Sequence, residues 1–111
     1  MKEAEKIDRR NTKAYPIFLE ELSSTTNQVI EFQKNLISAN KKQLENLKDI
    51  MHRIKGSSGF FGYDELSALS GNLERQFSEV NAASDLSEEF RLDLQKFLLL
   101  SQKLIIEKKN A

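Results

Sequence analysis

Apolar residues recur at steps of three and four along most of the chain, and no sustained alternation with a period of two appears. Such steps place side chains on one face of an α-helix, which has about 3.6 residues per turn. The first stripe consists of Phe18, Leu22, Val29, Phe32 and Leu36. It follows Pro16, the only proline, which is tolerated in the first turn of a helix because an amide N–H has no partner there. The pattern therefore predicts a first helix that begins near Pro16 and ends at the polar residues 39–42.

The second stripe is the most regular in the chain. Its members lie at steps of 3, 4, 3, 4 and 3, and they are Leu44, Leu47, Met51, Ile54, Ser58 and Phe61. A regular stripe of this kind is typical of a helix that packs in a bundle. Gly62 follows as a residue suited to the left-handed conformation that ends helices, and Asp64 can cap the next helix. We therefore expect a short turn around Gly62.

Two further stripes complete the pattern. The third helix is predicted from Leu66, Leu69, Leu73, Phe77 and Val80, and the fourth from Phe90, Leu94, Phe97, Leu98, Ser101, Leu104 and Ile105. The polar residues 81–85 connect them, and Asp85 and Glu88 have the spacing of a capping box. Short connections favour antiparallel neighbours, so the sequence predicts an all-α, antiparallel up-down four-helix bundle over residues 14–108. Residues 1–13 are predicted to be a charged tail or a short extra N-terminal helix.

Composition excludes several classes of function. The 111 residues suffice for one domain, and the 17 basic and 17 acidic residues give no net charge, so the electrostatic signature of a nucleic-acid-binding protein is missing. The absence of cysteine and the presence of one histidine argue against a metal site and exclude a thiol nucleophile. The charged N-terminus has no signal-peptide core, and the apolar run 97–100 is too short to span a bilayer. We expect a cytoplasmic protein with no membrane or nucleic-acid partner, and charged flanks favour a monomer.

The only histidine, His52, begins the run H-R-I-K-G-S-S-G-F-F-G over residues 52–62. At about 100° per residue, it lies roughly 130° from the centre of the second stripe, which predicts an imidazole on the solvent side of the helix. The same geometry places four residues within about 60° of it, namely Lys48, Lys55, Gly56 and Gly59. Glycine inside a helix costs about 0.5–1 kcal/mol relative to alanine. We interpret the two glycines as space that lets another protein approach the imidazole.

The run resembles the histidine phosphotransfer (HPt) domain of multistep two-component phosphorelays. The residues that carry the resemblance are His52, Lys55, Gly56, Ser57, Ser58, Gly62, Leu66, Leu69, Leu73 and Glu74. It implies a phosphoryl group accepted on His52 from a receiver-domain aspartate, with Lys55 offsetting the phosphate charge and Gly56 opening space. Glu74 matches a position where the family often has Gln or Glu near the imidazole. A carboxylate there would orient the neutral ring but repel an attached phosphate.

The resemblance also implies partners and cofactors. The partners are receiver domains and a hybrid sensor histidine kinase, and a receiver would supply Mg²⁺, so we expect no cofactor in this chain. No glycine-rich nucleotide loop is present, which favours a phosphoryl carrier over an enzyme. Gly59, Lys48 and Phe60 are candidate docking residues, although Lys48 also fits a solvated face and Phe60 fits packing at the end of the bundle.

Two other functions are consistent with a helical chain. A binding module could occupy a kinase or receiver without carrying phosphate, but such a protein would not need His52 or Lys55. A structural coiled coil is disfavoured by three glycines within residues 56–62, which would weaken a long helix.

Overall fold

A computed structural model describes residues 9–36, 39–80 and 86–109, which form four α-helices and one 3₁₀ turn. The helices are α1 (Ala14–Lys34), α2 (Lys41–Phe60), α3 (Asp64–Glu79) and α4 (Glu88–Lys109). Consecutive helices pack against each other, and α4 packs back on α1, which closes a bundle of 50 × 27 × 22 Å. The predicted all-α four-helix bundle is confirmed.

The predicted stripes form the core. The large side chains with less than 2% exposure are Leu22, Val29, Phe32, Leu44, Leu47, Met51, Ile54, Leu73, Phe77, Phe90, Leu94 and Phe97. Burial of one such side chain contributes about 1.5–3 kcal/mol, so these residues supply most of the drive to fold. Phe77 makes edge-to-face contacts with Phe32 and Phe90 at centroid distances of 5.5 and 4.9 Å, which joins three helices. Leu36 and Val80 are only partly buried because they lie beyond the ends of α1 and α3. Three residues of the predicted fourth stripe are also only partly buried, namely Leu98, Leu104 and Ile105.

The turn between α2 and α3 has the predicted left-handed glycine. Gly62 has φ of 85°, and the amides of Gly62 and Tyr63 donate to the carbonyls of Gly59 and Ser58. These two bonds satisfy carbonyls that the end of α2 would otherwise leave unpaired. The tight turn brings the start of α3 beside the last turns of α2, where the glycine-rich run lies.

The predicted cap of α3 is wrong by one residue. Asp64 is the first residue of the helix, Tyr63 occupies the cap position, and no side chain makes a capping hydrogen bond there. Asp64 instead places its negative charge in the first turn, where it interacts favourably with the helix dipole.

The cap of α4 also differs from the capping box expected at Asp85 and Glu88. Asp85 lies outside the described residues. The amide of Phe90 donates to Ser87 Oγ at 3.1 Å, and Glu88 is the first residue of the helix. Ser87 is therefore the cap, because a cap side chain accepts from the third helical amide.

The 3₁₀ turn Arg9–Asn11 packs where α2 ends. The guanidinium of Arg9 donates to the carbonyl of Phe60 at 3.0 Å and lies 4.5 Å from the centroid of its ring. Residues 1–8 lie outside the described part of the chain. The structure therefore bears on the predicted tail or short helix at residues 1–13 only from Arg9 onward. Within the described ranges, no helix combines the length and apolarity needed to cross a bilayer.

Candidate functional site

His52 lies in the middle of α2 with its side chain turned away from the core. Its side chain is 65% exposed, whereas its neighbour Met51 and the next residue of the stripe, Ile54, are fully buried. This is the solvent-side position that the helical geometry predicts. The core stripe of α2 thus fixes the direction in which the imidazole projects.

The Glu74 carboxylate joins His52 to Lys55. Oε2 of Glu74 lies 2.8 Å from Nδ1 of His52, and Oε1 lies 3.2 Å from Nζ of Lys55. His52 and Lys55 are three residues apart on α2, so they share a face, and Glu74 reaches them from α3. The structure therefore brings together three residues that the sequence analysis selected, with one carboxylate oxygen for each partner.

Two opposing effects act on the pKa of Glu74. Burial of the carboxylate tends to raise it, but the hydrogen bonds from Lys55 and His52, together with their charges, outweigh burial and lower the pKa below its ordinary value. Glu74 is consequently ionised at neutral pH. An ionised carboxylate can accept hydrogen bonds but cannot donate them.

This contact determines the tautomer of His52. Because the Glu74 carboxylate only accepts, the proton in the 2.8 Å contact must be on Nδ1 of the imidazole. In a neutral ring with a proton on Nδ1, Nε2 carries a free lone pair. The geometry therefore leaves the lone pair of Nε2 free on a mostly exposed side chain.

A groove of about 550 Å³ lies beside His52, between α1 and α2. Gly56 lines it, and a Cβ at Gly56 would meet no atom within 4 Å. Two exposed apolar side chains also line it, Ile17 at 69% and Phe60 at 48% exposure. We call Ile17, Gly56 and Phe60 the groove rim. An exposed apolar rim is a surface suited to protein contact.

Gly59 is exposed, as an access position requires, and it also lies where α2 faces α3. A Cβ there would lie 3.2 Å from Oγ of Ser67, whose hydroxyl also donates to the carbonyl of Lys55 at 2.8 Å. The missing side chain of Gly59 thus lets α2 and α3 approach closely. Gly59 therefore contributes to helix packing, and its role in access stays a prediction. Helix periodicity alone could not reveal this contact, because it does not show which neighbouring helix a face meets.

The other predicted docking residues are Lys48, about one turn before His52 on α2, and Phe60, about two turns after it. Nζ of Lys48 is 3.9 Å from the carboxylate of Asp49, a loose surface pair of the kind that contributes little. Phe60 combines the two roles that the sequence left open, since its ring packs on Phe61 at 5.0 Å and is also about half exposed on the groove rim.

Sequence reasoning missed several residues around the site. Arg9 braces Phe60, Ser67 ties α3 to α2, and Arg53 pairs with Glu21 at 2.9 Å along the groove between α1 and α2. The charges of Arg53 and Glu21 were visible in the sequence, but only the packing of α1 on α2 pairs them. Among the described residues, no group of three or more His, Cys, Asp or Glu side chains is arranged to hold a metal ion.

Comparison with known proteins identifies the family. The family model described as Hpt domain matches residues 15–101, which is well over half of the chain. No curated protein and no solved structure showed significant similarity to the chain. Hpt domains are phosphocarrier modules of phosphorelays that interact with receiver and kinase domains. The match includes all of α2 and α3 and most of α1 and α4, and its extent shows that the chain belongs to the Hpt domain family.

Proposed function

We propose that this chain accepts a phosphoryl group on Nε2 of His52 from a receiver-domain aspartate and passes it to the aspartate of another receiver. The observation that carries the proposal is the 2.8 Å contact between Nδ1 of His52 and the Glu74 carboxylate. It holds the proton on Nδ1, so the lone pair on Nε2 projects from a ring whose side chain is 65% exposed.

The reaction requires one bond exchange. The lone pair of Nε2 attacks phosphorus, the P–N bond forms, and the bond to the aspartyl oxygen breaks to leave a carboxylate on the donor receiver. The imidazole then bears positive charge with its proton still on Nδ1, and the adjacent Glu74 carboxylate stabilises that charge. Transfer to the second receiver reverses these steps with a new aspartate as the nucleophile. Such reactions depend mainly on position and charge, so a helical surface can support them.

Lys55 supplies the cation on this face. A unit charge 4 Å from a phosphate oxygen interacts by about 4 kcal/mol at an effective dielectric constant of about 20. The side chain of Lys55 is 43% exposed, however, and exposed pairs contribute about 1 kcal/mol or less in net terms. Lys55 is already bound to Glu74, so its movement toward a phosphate would exchange one anion for another. We therefore assign Lys55 a modulating role.

The groove rim is the proposed docking surface for the receiver. Its apolar residues Ile17 and Phe60 lie next to His52, and Gly56 leaves open space between α2 and an approaching surface. The receiver would bring Mg²⁺ and its acidic pocket, while a hybrid sensor histidine kinase would supply the phosphoryl group at the start of the relay.

A two-step transfer assay tests the function. A receiver domain charged with a small-molecule phosphodonor should label this chain, and the labelled chain should then label a second receiver. The phosphoprotein should be labile to acid and stable to alkali, as expected of phosphohistidine. A chain that binds receivers in the same conditions but never becomes labelled would be a binding module, which would contradict the proposal.

Variants of Lys55 separate charge from size. Lys55→Ala should slow transfer, or change the lifetime of the phosphohistidine, by up to about fivefold, because an exposed pair contributes about 1 kcal/mol at most. Lys55→Arg should be milder because it keeps the charge with a different geometry. Added salt should reduce the difference between Lys55 and Ala, since charges are screened over about 8 Å at physiological ionic strength.

The control for this series is Lys103→Ala, which removes the same charge from an exposed position on α4. It should leave the rate and the lifetime unchanged. Equal rates and lifetimes at low salt for all three residues at position 55 would reduce Lys55 to a solvated helix residue.

A further inference from the structure

Gly71 lies in the middle of α3, three residues before Glu74, in contact with the stem of Lys55. A Cβ built on Gly71 would lie 3.0 Å from Cδ of Lys55 and 3.9 Å from Cγ. Carbon atoms that are not bonded pack best at about 3.5–4.0 Å. The Lys55 stem therefore runs closely over bare backbone at Gly71, and a side chain at this position would require the stem to shift.

Conformation does not account for this glycine. Among the described residues, Gly62 is the one glycine with a positive φ, so the backbone at Gly71 is open to other residues. The residue lies well inside α3, where glycine costs about 1 kcal/mol relative to alanine. The contact with Lys55 is the feature of the structure that uses the missing side chain.

The position of Gly71 explains how Lys55 reaches Glu74. Residues three apart on a helix are neighbours on one face, so Gly71 and Glu74 form consecutive steps along α3. The stem crosses α3 at Gly71, and its ammonium group then lies 3.2 Å from Oε1 of Glu74. The Ser67 hydroxyl holds the backbone of Lys55 against the same helix at 2.8 Å.

We propose that Gly71 is a positioning residue that seats the Lys55 side chain across α3, so that its ammonium neutralises the Glu74 carboxylate beside His52. The part of this inference that concerns phosphotransfer rests on the proposed function. The seating of Lys55 does not, because it is a property of the unphosphorylated chain. With Lys55 seated, Glu74 can hold the imidazole while presenting less negative charge to an incoming phosphoryl group.

The test substitutes Gly71 and follows the carboxyl pKa of Glu74 by NMR titration of the unphosphorylated protein. Gly71→Leu fills the path with a residue that favours helix. We expect the pKa of Glu74 to rise toward its ordinary value as the hydrogen bond from Lys55 is lost, and transfer to slow by about two- to fivefold, the range for one exposed ion pair. Gly71→Ala should shift both quantities in the same direction by less, and it keeps the test valid if the leucine variant folds poorly.

Two comparisons separate seating from a general disturbance of α3. In a Lys55→Ala background, Gly71→Leu should leave the pKa of Glu74 unchanged, because no stem remains to be displaced. Ala68→Leu adds bulk to the face of α3 that meets α4, and it should leave the pKa and the transfer rate of the parent chain unchanged. Two results would overturn the proposal: an unchanged pKa of Glu74 in folded Gly71→Leu and Gly71→Ala, or an equal shift with and without Lys55.

Discussion

His52→Gln is expected to abolish phosphorylation of the chain by a charged receiver domain. Glutamine has no nucleophilic nitrogen, but its amide N–H can still donate to the Glu74 carboxylate that now binds Nδ1 of His52. Because the side chain lies outside the core, the substitution should leave the helical circular dichroism spectrum and the melting temperature nearly unchanged. Incorporation of labelled phosphate, measured beside these two properties, distinguishes loss of chemistry from loss of fold.

A matched control for this variant is Asp49→Asn, an exposed substitution one turn earlier on α2. It should retain full labelling. If the His52→Gln protein still accepts phosphate that is labile to acid, another residue is the acceptor and the assignment of His52 is wrong.

Gly56→Gln is expected to slow transfer from a receiver at least about tenfold, equivalent to about 1.4 kcal/mol in the barrier. Gly56 lies one turn after His52 on the groove rim, where a Cβ would meet open space. The new side chain would fill that space and hold the receiver away from Nε2. Because the glutamine side chain would hinder the approach of the receiver, we expect the slower rate in transfer from the receiver to this chain.

Stability provides the control for this substitution. Glutamine favours helix more than glycine, so Gly56→Gln should melt at the same or a higher temperature than the parent chain. Gly56→Ala, which adds one methyl group to open space, should transfer faster than Gly56→Gln. Unchanged transfer by a folded Gly56→Gln protein would show that the glycine has no access role.

The bundle was predictable because the spacing of apolar residues in each helix shows which face is buried. The stripe of α2 identified Met51 and Ile54 as core residues and placed His52 on the opposite side, and the structure agrees at each position. This works because a residue's angle around its helix depends only on its number in the sequence. The left-handed Gly62 was predictable for a similar reason, since its conformation is a local property of the chain.

Contacts between helices were less predictable, because they depend on the relative rotation and height of two elements. Gly59 is exposed, as expected of a residue that gives access to a partner, but it also faces Ser67 of α3, a neighbour that the sequence did not indicate. The ion pair between Lys55 and Glu74 was not predictable for the same reason. The sequence indicated both residues, but it placed Lys55 beside a phosphate and Glu74 beside the imidazole. The contact at Gly71 was not predictable, because a single glycine in a helix gives no sign of the side chain that crosses it.

The predictions of the helix caps were wrong for a more local reason. Asp64 was a plausible cap by composition, but the left-handed Gly62 made the turn short enough for α3 to begin one residue earlier than a cap at Asp64 requires. At the start of α4, both Asp85 and Ser87 are of suitable types, and the capping hydrogen bond is made by Ser87. Residue type alone does not choose between two candidates so close together.

The most direct test of the central claim is to locate the phosphoryl group in the phosphorylated chain by ¹⁵N and ³¹P NMR of the His52 ring. The account predicts phosphate on Nε2 and a proton on Nδ1 that is hydrogen-bonded to Glu74, as in the unphosphorylated site. Phosphate on Nδ1, or on any residue other than His52, would contradict it.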